Sequence, residues 1–130
     1  MKDFVALGKS GVTEPTPLLE SFPTPRHVST VRMVSDEVTA ICKVTSQPDQ
    51  YAVEVVYVPY EKCIESKSWK LKLQSFRNTG IFCEQLASDL ARHILESITP
   101  HSVTVKVTQK PRGGVSIIAE AKILHGVPET

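Results

Sequence analysis

The sequence lacks any long apolar run, and this absence excludes a membrane-spanning helix from the prediction. A transmembrane helix needs roughly 20 consecutive apolar residues, and no stretch approaches that length. The N-terminal segment MKDFVALGKSGV also lacks an apolar core and carries an acidic residue, Asp3, so it does not fit a secretory signal peptide. We therefore expect a cytoplasmic protein with no membrane partner.

Cysteine is scarce, and its spacing argues against two kinds of covalent framework. The chain has three cysteines, Cys42, Cys63 and Cys83, an odd number without a Cys-x-x-Cys pair. A disulfide scaffold uses even numbers of cysteines, and a structural zinc site uses closely spaced ligand pairs. Neither a disulfide framework nor a bound metal is expected.

A strong charge of either sign is also absent. The formal net charge is +1, so no bulk field attracts nucleic acid or an anionic membrane, and nucleic acid is not the expected partner. The length of 130 residues with 41% hydrophobic content suits one domain with a modest core. We assign residues 1–130 to a single domain.

Backbone-breaking residues are concentrated at the N-terminus. The segment Met1–Pro25 contains two glycines and four prolines. This density opposes a helix or a central strand, and it predicts an irregular arm over residues 1–25.

Beyond the arm, hydrophobic periodicity predicts strands, then two helices, then strands. The first predicted strand consists of Val28–Val34 and Val38–Val44 with a break at Ser35–Glu37, and the others are Tyr51–Val58, Val103–Thr108 and Val115–Ile123. The predicted helices are Ser66–Arg77 and Phe82–Ile98, and a hairpin turn spans Lys110–Gly114. The order is ββααββ, which indicates an α+β domain whose antiparallel sheet is covered on one face by two helices. Such a sheet has open edges, and joining sheets between subunits into a ring would cover them.

Cys42 and Asp49 are the first candidates for chemistry. Cys42 lies at the end of a predicted strand, and Asp49 closes the predicted turn Thr45–Asp49. A thiolate could attack an electrophilic carbon there, and a carboxyl group could move the proton. Each residue also has an ordinary explanation, since a free cysteine commonly packs as a small hydrophobe and an aspartate commonly sits in a turn. These two residues alone leave both readings open.

Three further stretches could bind a ligand. Glu65–Lys70 begins a predicted helix, where the helix N-terminus and two lysines could gather phosphate groups, or where Ser66 could simply be the N-cap. Glu84 could accept hydrogen bonds from a guanine-like ring, or only favour the helix dipole. Pro111–Gly114 could present Arg112 and backbone amides to phosphate, or be an ordinary turn.

Together these stretches resemble the QueF-type nitrile reductases, which reduce 7-cyano-7-deazaguanine to 7-aminomethyl-7-deazaguanine with NADPH on the route to queuosine in tRNA. The resemblance is carried by Leu18–Pro23, Cys42–Asp49, Glu65–Leu71, Ser75–Asn78, Glu84 and Pro111–Gly114. It implies the tunnelling fold, in which ββααββ subunits form pentameric rings that stack into decamers. It also implies active sites that lie between subunits of this homo-oligomer.

The resemblance also assigns roles to individual residues. It implies that Cys42 attacks the nitrile carbon to form a covalent thioimide, and that Asp49 donates a proton. The implied substrate-binding residues are Ile64, Glu65, Ser66, Cys83 and Glu84, and the implied NADPH contacts are Ser66, Lys67, Arg112 and Gly113.

Three positions depart from the pattern of the family. Lys43 replaces the usual proline, Ser46 replaces a frequent glycine, and Cys83 replaces the usual histidine before the glutamate. A thiol is a poorer hydrogen-bonding group than an imidazole, which puts the substrate contact at Cys83 in question.

Two other functions stay open beside the reductase. One is an amidinotransferase that acts on the nitrile of 7-cyano-7-deazaguanosine within tRNA through the same thioimide. The other is a weakly active purine- or pterin-binding relative of the same fold, which Cys83 would explain. The intact Glu65–Lys70 and Pro111–Gly114 stretches favour the reductase, because they carry the implied cofactor contacts.

Overall fold

A computed structural model describes residues 17–126. The elements are β1 (Ser21–Pro23), β2 (Val31–Ile41), β3 (Pro48–Val58), β4 (Lys62–Ile64), α1 (Ser66–Gln74), α2 (Cys83–Ile98), β5 (Ser102–Arg112) and β6 (Val115–Leu124). Apart from the short strands β1 and β4, the order is the predicted ββααββ. The α+β prediction is therefore confirmed.

The main sheet has the order β2-β3-β5-β6, and each neighbouring pair is antiparallel. Within residues 17–126, the outer sides of β2 and β6 pair with no further strand, apart from an isolated bridge between Ile41 and Gly80 at the end of β2. A second, two-stranded sheet joins β1 to β4 and was not predicted. Of the predicted irregular arm, residues 1–16 lie outside the described part of the chain, and Ser21–Pro23 form β1.

Both helices pack on the same face of the main sheet. Alternate residues along a strand point to one face, and on β3 and β5 these residues are buried apolar side chains. They meet the apolar stripes of the two helices in a single core, whose members include Tyr51, Val53, Val55, Val103, Val105, Val107, Trp69, Leu73, Leu86, Leu90 and Ile94. The predicted layer of helices on one face is confirmed.

Two predicted boundaries differ from the structure for local reasons. The predicted break at Ser35–Glu37 is a bulge, with the register shift between Ser35 and Val38, so β2 bends but remains one strand. Helix α1 ends at Gln74 and not at Arg77, because Ser75 caps it: its hydroxyl donates to the Lys72 carbonyl at 2.6 Å.

The topology separates two ends of the sheet. The β2–β3 and β5–β6 hairpins lie together at one end with the start of α2, and we call this the hairpin end. The other end carries β4 and the start of α1, where the Ile64 N–H donates to the Tyr57 hydroxyl at 2.9 Å. We call it the β4 end. The 11 residues of β3 connect the two ends, over roughly 33 Å for an extended strand.

His93 on α2 makes the stability of the fold sensitive to acid. Burial and the nearby charge of Lys72 lower the pKa of His93 to about 4, although a hydrogen bond with the backbone of Pro17 opposes them. The folded state therefore keeps His93 neutral while the unfolded chain takes up a proton as the pH falls below about 6.5. Stability from this residue is present above that pH and is lost towards pH 4.

We expect the unfolding free energy to drop by about 1 kcal/mol more between pH 7.5 and pH 5.5 in the native protein than in a His93→Gln variant. Urea unfolding at the two pH values measures the difference. The exposed His125→Gln substitution serves as the control and should keep the native pH dependence. An equal drop in all three proteins would contradict the assignment.

Candidate active site

Cys42 lies in a tight loop at the hairpin end, between β2 and β3. Its N–H donates to the Gln47 carbonyl at 2.8 Å, and its carbonyl accepts from the Ser46 N–H at 2.9 Å. Ser46 has φ of 63°, in the left-handed region that costs a residue with a Cβ about 1 kcal/mol or more. Glycine, which is frequent at this position in the family that the sequence resembles, would adopt this φ without strain. The loop leaves the Cys42 side chain partly exposed.

The loop also acidifies the Cys42 thiol. Its pKa is lowered to about 7, first by a hydrogen bond from the Thr45 side chain and then by the backbone N–H groups of Thr45 and Val44. Burial and the negative charge of Asp49 act in the opposite direction. A substantial fraction of Cys42 is therefore thiolate at neutral pH, which is the nucleophilic form.

We expect Thr45→Val to move the alkylation of Cys42 by iodoacetamide to higher pH. The substitution keeps the shape of Thr45 but removes the hydroxyl that bonds the sulfur, so less thiolate forms at pH 7. The midpoint of the rate profile should lie near pH 7 in the native protein and rise by about half a unit or more in the variant. An unchanged midpoint would exclude the hydroxyl as the cause.

Asp49 lies beside this loop at the start of β3, and it is buried. The carboxylate oxygen Oδ1 accepts a hydrogen bond from Nη1 of Arg112 at 2.6 Å, while Nη2 donates to Oε1 of Gln47 at 3.1 Å. The hydrogen bond and charge of Asp49 raise the pKa of Arg112, and Cys42 contributes in the same direction. Arg112 was predicted only as a cofactor contact. In the structure it also contacts Asp49, a member of the predicted catalytic pair.

Tyr51 is a polar group of this site that the sequence did not reveal. It follows Asp49 by two residues on the same face of β3, and its side chain is fully buried. Within the described part of the chain its hydroxyl has no hydrogen-bond partner. Burial raises its pKa, and the charges of Asp49, Cys83 and Cys42 add to the effect. In the sequence it was indistinguishable from an ordinary core residue of an alternating strand.

Cys83 and Glu84 begin α2 at the same hairpin end but point in different directions. The Cys83 sulfur lies 3.5 Å from the Val107 carbonyl and 3.9 Å from that of Ile117, so it faces the sheet. Burial raises the pKa of this thiol, and the charge of Glu84 raises it further. Glu84 itself is exposed in the first turn, where the N-cap residue Phe82 supplies no side-chain cap. Their roles in binding substrate stay predictions.

Lys43 follows Cys42 and departs from the pattern of the resembling family. Its side chain lies over the residue that precedes α2. Its ammonium nitrogen lies 5.6 Å from the centroid of the exposed Phe82 ring, a cation–π distance. A Cβ added at Gly80 would lie 3.5 Å from Lys43 Cγ. The side chain therefore joins the hairpin loop to the segment before α2.

The second group of predicted site residues lies at the β4 end. Ile64 is buried, whereas Ser66 and Lys67 are exposed on the first turn of α1. The N-cap is Glu65 and not Ser66, so that prediction was wrong. The longer Glu65 side chain folds back to accept from the N–H groups of Lys67 at 2.9 Å and Ser68 at 2.8 Å, which lowers its pKa.

This cap changes what the start of α1 can bind. The N–H groups of Lys67 and Ser68, which could otherwise hold a phosphate, already carry the Glu65 carboxylate. An anion at the start of α1 would therefore contact the exposed side chains of Ser66 and Lys67. At the hairpin end, by contrast, Gly113 and Gly114 have φ of 59° and 81°, and an added Cβ would meet nothing within 4 Å. Arg112 and the turn after it are open to an anion.

The predicted site residues therefore form two groups on one chain. Cys42, Asp49, Cys83, Glu84, Arg112 and Gly113 lie at the hairpin end, and Ile64, Glu65, Ser66 and Lys67 lie at the β4 end. Asp49 and Tyr57, which anchor the two groups, are eight residues apart on β3, roughly 26 Å in an extended strand, and this is too long for both groups to contact one small ligand from the same chain.

Two further observations concern residues 17–126. No group of three or more histidine, cysteine, aspartate or glutamate side chains in this range is arranged to hold a metal ion. None of its helices is long and apolar enough to cross a membrane.

Comparison with known proteins gives concordant results. A family profile described as "QueF-like protein" matches residues 48–125. Among curated proteins, "NADPH-dependent 7-cyano-7-deazaguanine reductase" of Chlorobaculum parvum is 38% identical over 92 residues, covering 71% of this chain and 79% of that protein. The protein of the same name from Anaeromyxobacter sp. is 36% identical over 116 residues, covering 88% and 93%.

A solved structure extends the similarity to the fold. The apo crystal structure of "the archaeosine synthase QueF-Like" superposes with a TM-score of 0.70 at 28% sequence identity. The alignment covers 77% of this chain and 97% of that one.

Proposed function

The chain belongs to the QueF-like protein family, and from this premise we propose that it is an NADPH-dependent 7-cyano-7-deazaguanine reductase. It reduces the nitrile of 7-cyano-7-deazaguanine to an aminomethyl group, on the route to queuosine. The observation that carries the proposal is a partly exposed cysteine with a pKa of about 7 close to a buried, arginine-bound aspartate.

The chain's own residues prepare the first step. A nitrile is a weak electrophile toward hydride, and addition of the Cys42 sulfur converts it into a thioimide, whose C=N bond is easier to reduce. The loop of Val44 and Thr45 supports the thiolate, and Asp49 provides the group that moves a proton to the nitrogen. Glu84 is exposed at the same end of the sheet and can accept hydrogen bonds from the N–H groups of the purine-like ring.

NADPH supplies the two hydrides that a four-electron reduction requires. The residues at the hairpin end fit an anionic cofactor, because the Arg112 side chain is about one third exposed and the Gly113–Gly114 turn has open space above it. Ser66 and Lys67 complete the proposed contacts from the β4 end. Their exposed side chains, and not the capped backbone of α1, would meet the phosphate groups.

An oligomer reconciles the two groups of site residues. The hairpin end of one chain and the β4 end of another can share a ligand only if two copies meet. The open edges of β2 and β6 offer a way for them to meet, and pairing them between copies would build the ring of subunits that we propose. Pentameric rings stacked into decamers remain the expected form. A cytoplasmic location belongs to the same proposal, and the free thiols fit a reducing compartment.

The similarity to an archaeosine synthase supports a second candidate function. An amidinotransferase would use the same thioimide at Cys42 but would accept ammonia in place of hydride. The reductase is preferred, because the curated relatives with that name share higher identity with this chain than the archaeosine synthase does.

The deciding experiment mixes the purified protein with 7-cyano-7-deazaguanine and NADPH and follows absorbance at the nicotinamide band. The reductase consumes about two NADPH per nitrile, since each supplies one hydride. A covalent adduct at Cys42 without consumption of NADPH would exclude the reductase. Incorporation of ammonia into the nitrile of a 7-cyano-7-deazaguanosine-containing tRNA would then identify the second candidate.

A further inference from the structure

The exposed residues Ser66 and Lys67 lie between two residues whose backbones are hydrogen-bonded. Glu65 precedes the pair, and its N–H donates to the Glu20 carbonyl at 2.9 Å. Ser68 follows the pair, and its N–H donates to Oε1 of Glu65 at 2.8 Å. The backbone of the pair is therefore held on both sides, although the side chains of Ser66 and Lys67 are exposed.

The Ser68 hydroxyl joins three segments of the chain in one cycle of hydrogen bonds. Its oxygen accepts from the Glu20 N–H at 3.0 Å and donates to the Glu65 carbonyl at 3.1 Å, and a longer contact of 3.5 Å leads to the Glu20 carbonyl. The bond from the Glu65 N–H to Glu20 closes the cycle. Every other group in the cycle belongs to the backbone, so Ser68 is the member that a substitution can remove.

The segment before β1 is bonded to both helices through serine side chains. The Leu19 N–H donates to the Ser97 hydroxyl on α2 at 3.0 Å, and the next N–H, that of Glu20, donates to Ser68 on α1. Ser97 is buried, whereas Ser68 is partly exposed. The two bonds have equal length and come from consecutive residues, but only the bond to Ser68 lies next to the proposed cofactor contacts.

We propose that Ser68 is a positioning residue, whose hydroxyl holds the backbone of Ser66 and Lys67 in the geometry that binds NADPH. The inference rests on the proposed function and adds a residue that acts through its neighbours. A lysine side chain on a fixed backbone loses less freedom on binding, because only its own torsions remain to be ordered. Without the cycle, binding would also have to order the backbone of the pair.

Removal of the Ser68 hydroxyl should loosen this segment without unfolding α1. In Ser68→Ala the Glu20 N–H loses its partner, so the bond between the β1 segment and α1 is broken. The Glu65 carbonyl keeps the helical bond from the Trp69 N–H at 3.2 Å. Alanine also favours a helix more than serine does. The variant therefore removes the cycle and leaves the helix.

The test compares Ser68→Ala, Ser68→Thr and Ser97→Ala with the native protein. Ser97→Ala is the matched control, since it removes a bond of equal length from the neighbouring residue of the same segment. The KM for NADPH and kcat are measured at saturating 7-cyano-7-deazaguanine. Hydrogen exchange of the peptide that spans residues 64–70 is measured without ligands by mass spectrometry, together with the thermal unfolding midpoint.

We expect Ser68→Ala to raise the KM for NADPH by about fivefold or more and to leave kcat within about twofold, because the loosened contacts hold the cofactor equally in the ground and transition states. Ser68→Thr keeps the hydroxyl and should restore the KM to within about twofold. Ser97→Ala should leave the KM unchanged, even where it lowers the unfolding midpoint more.

Three results overturn the inference. An unchanged KM in Ser68→Ala means that the cycle does not position the cofactor contacts. An equal rise of KM in Ser97→Ala means that any loosening of the segment before β1 is sufficient. A KM in Ser68→Thr as high as that in Ser68→Ala excludes the hydroxyl as the cause.

Hydrogen exchange separates this inference from the proposed function. Faster exchange of residues 64–70 in Ser68→Ala, but not in Ser97→Ala, would show that the hydroxyl holds this backbone whether or not the protein is a reductase. If the native protein consumes no NADPH with the nitrile, the proposed function fails, and the exchange still measures the effect of the cycle. If the native protein is a reductase and Ser68→Ala changes neither KM nor exchange, only the role of Ser68 fails.

Discussion

A Cys42→Ala protein is expected to form no covalent adduct with 7-cyano-7-deazaguanine and to lose NADPH consumption by roughly a thousandfold or more. The expected loss is large because no other nucleophile of the hairpin end is both acidified and accessible in residues 17–126. Tyr51 and Cys83 are buried, and burial raises the pKa of each. Intact-protein mass spectrometry and the nicotinamide absorbance measure the two effects.

Cys63→Ala is the matched control for the loss of a thiol. Cys63 is buried in β4, with its sulfur 3.7 Å from the Thr24 hydroxyl, and it belongs to the β4 end. This variant should keep the adduct at Cys42. The Cys42→Ala protein should also keep its thermal unfolding midpoint within a few degrees, because the side chain is partly exposed. Adduct formation that survives in Cys42→Ala would remove the thioimide from the mechanism.

The architecture was predictable because its signals are local. Alternation along Tyr51–Val58 and the helical stripe from Leu86 to Ile94 each lie within one continuous segment, and the order of such segments determines the ββααββ fold. The small sheet of β1 and β4 was not predicted, because its signals are not local. Strands of three residues are too short to show a period, and their pairing depends on contacts far apart in the sequence.

The site was predictable only in part, because its decisive contacts are not local. The Cys42–Asp49 segment could be recognised as a unit, but Arg112 reaches Asp49 across 63 positions. Nothing near either residue in the sequence indicates that pair. The Ser66 prediction failed on a smaller scale, since serine and glutamate can both cap a helix and only the side-chain geometry decides between them.

The division of the predicted site residues between two ends of the sheet changes how the stretches that carry the family resemblance should be understood. Glu65–Lys67 and Cys42–Asp49 resemble one family together, yet one chain holds their anchoring residues roughly 26 Å apart along β3. In the proposed oligomer, a residue of the β4 end would serve a reaction at another copy's hairpin end. Substitutions at Lys67 and at Cys42 belong to different chains of the same proposed site.

Asp49→Asn is expected to slow adduct formation by about a hundredfold to ten-thousandfold, the range for removal of a positioned proton-transfer group. Asparagine keeps the size of the side chain and can still accept a hydrogen bond from Arg112, so the loop of Cys42 should retain its shape. It cannot donate the proton that the proposed mechanism assigns to Asp49. The Cys42 thiolate still forms in this variant. The lower rate of adduct formation is therefore due to the proton transfer and not to the nucleophile.

Alkylation by iodoacetamide separates these two functions, because that reaction needs the Cys42 thiolate but no proton for a nitrile nitrogen. In Asp49→Asn the alkylation midpoint should fall below about 7, since the negative charge of Asp49 raises the pKa of Cys42 in the native protein. A variant that alkylates faster at pH 6.5 yet captures the nitrile far more slowly would identify Asp49 as the proton carrier. Equal slowing of both reactions would mean that Asp49 only holds the loop.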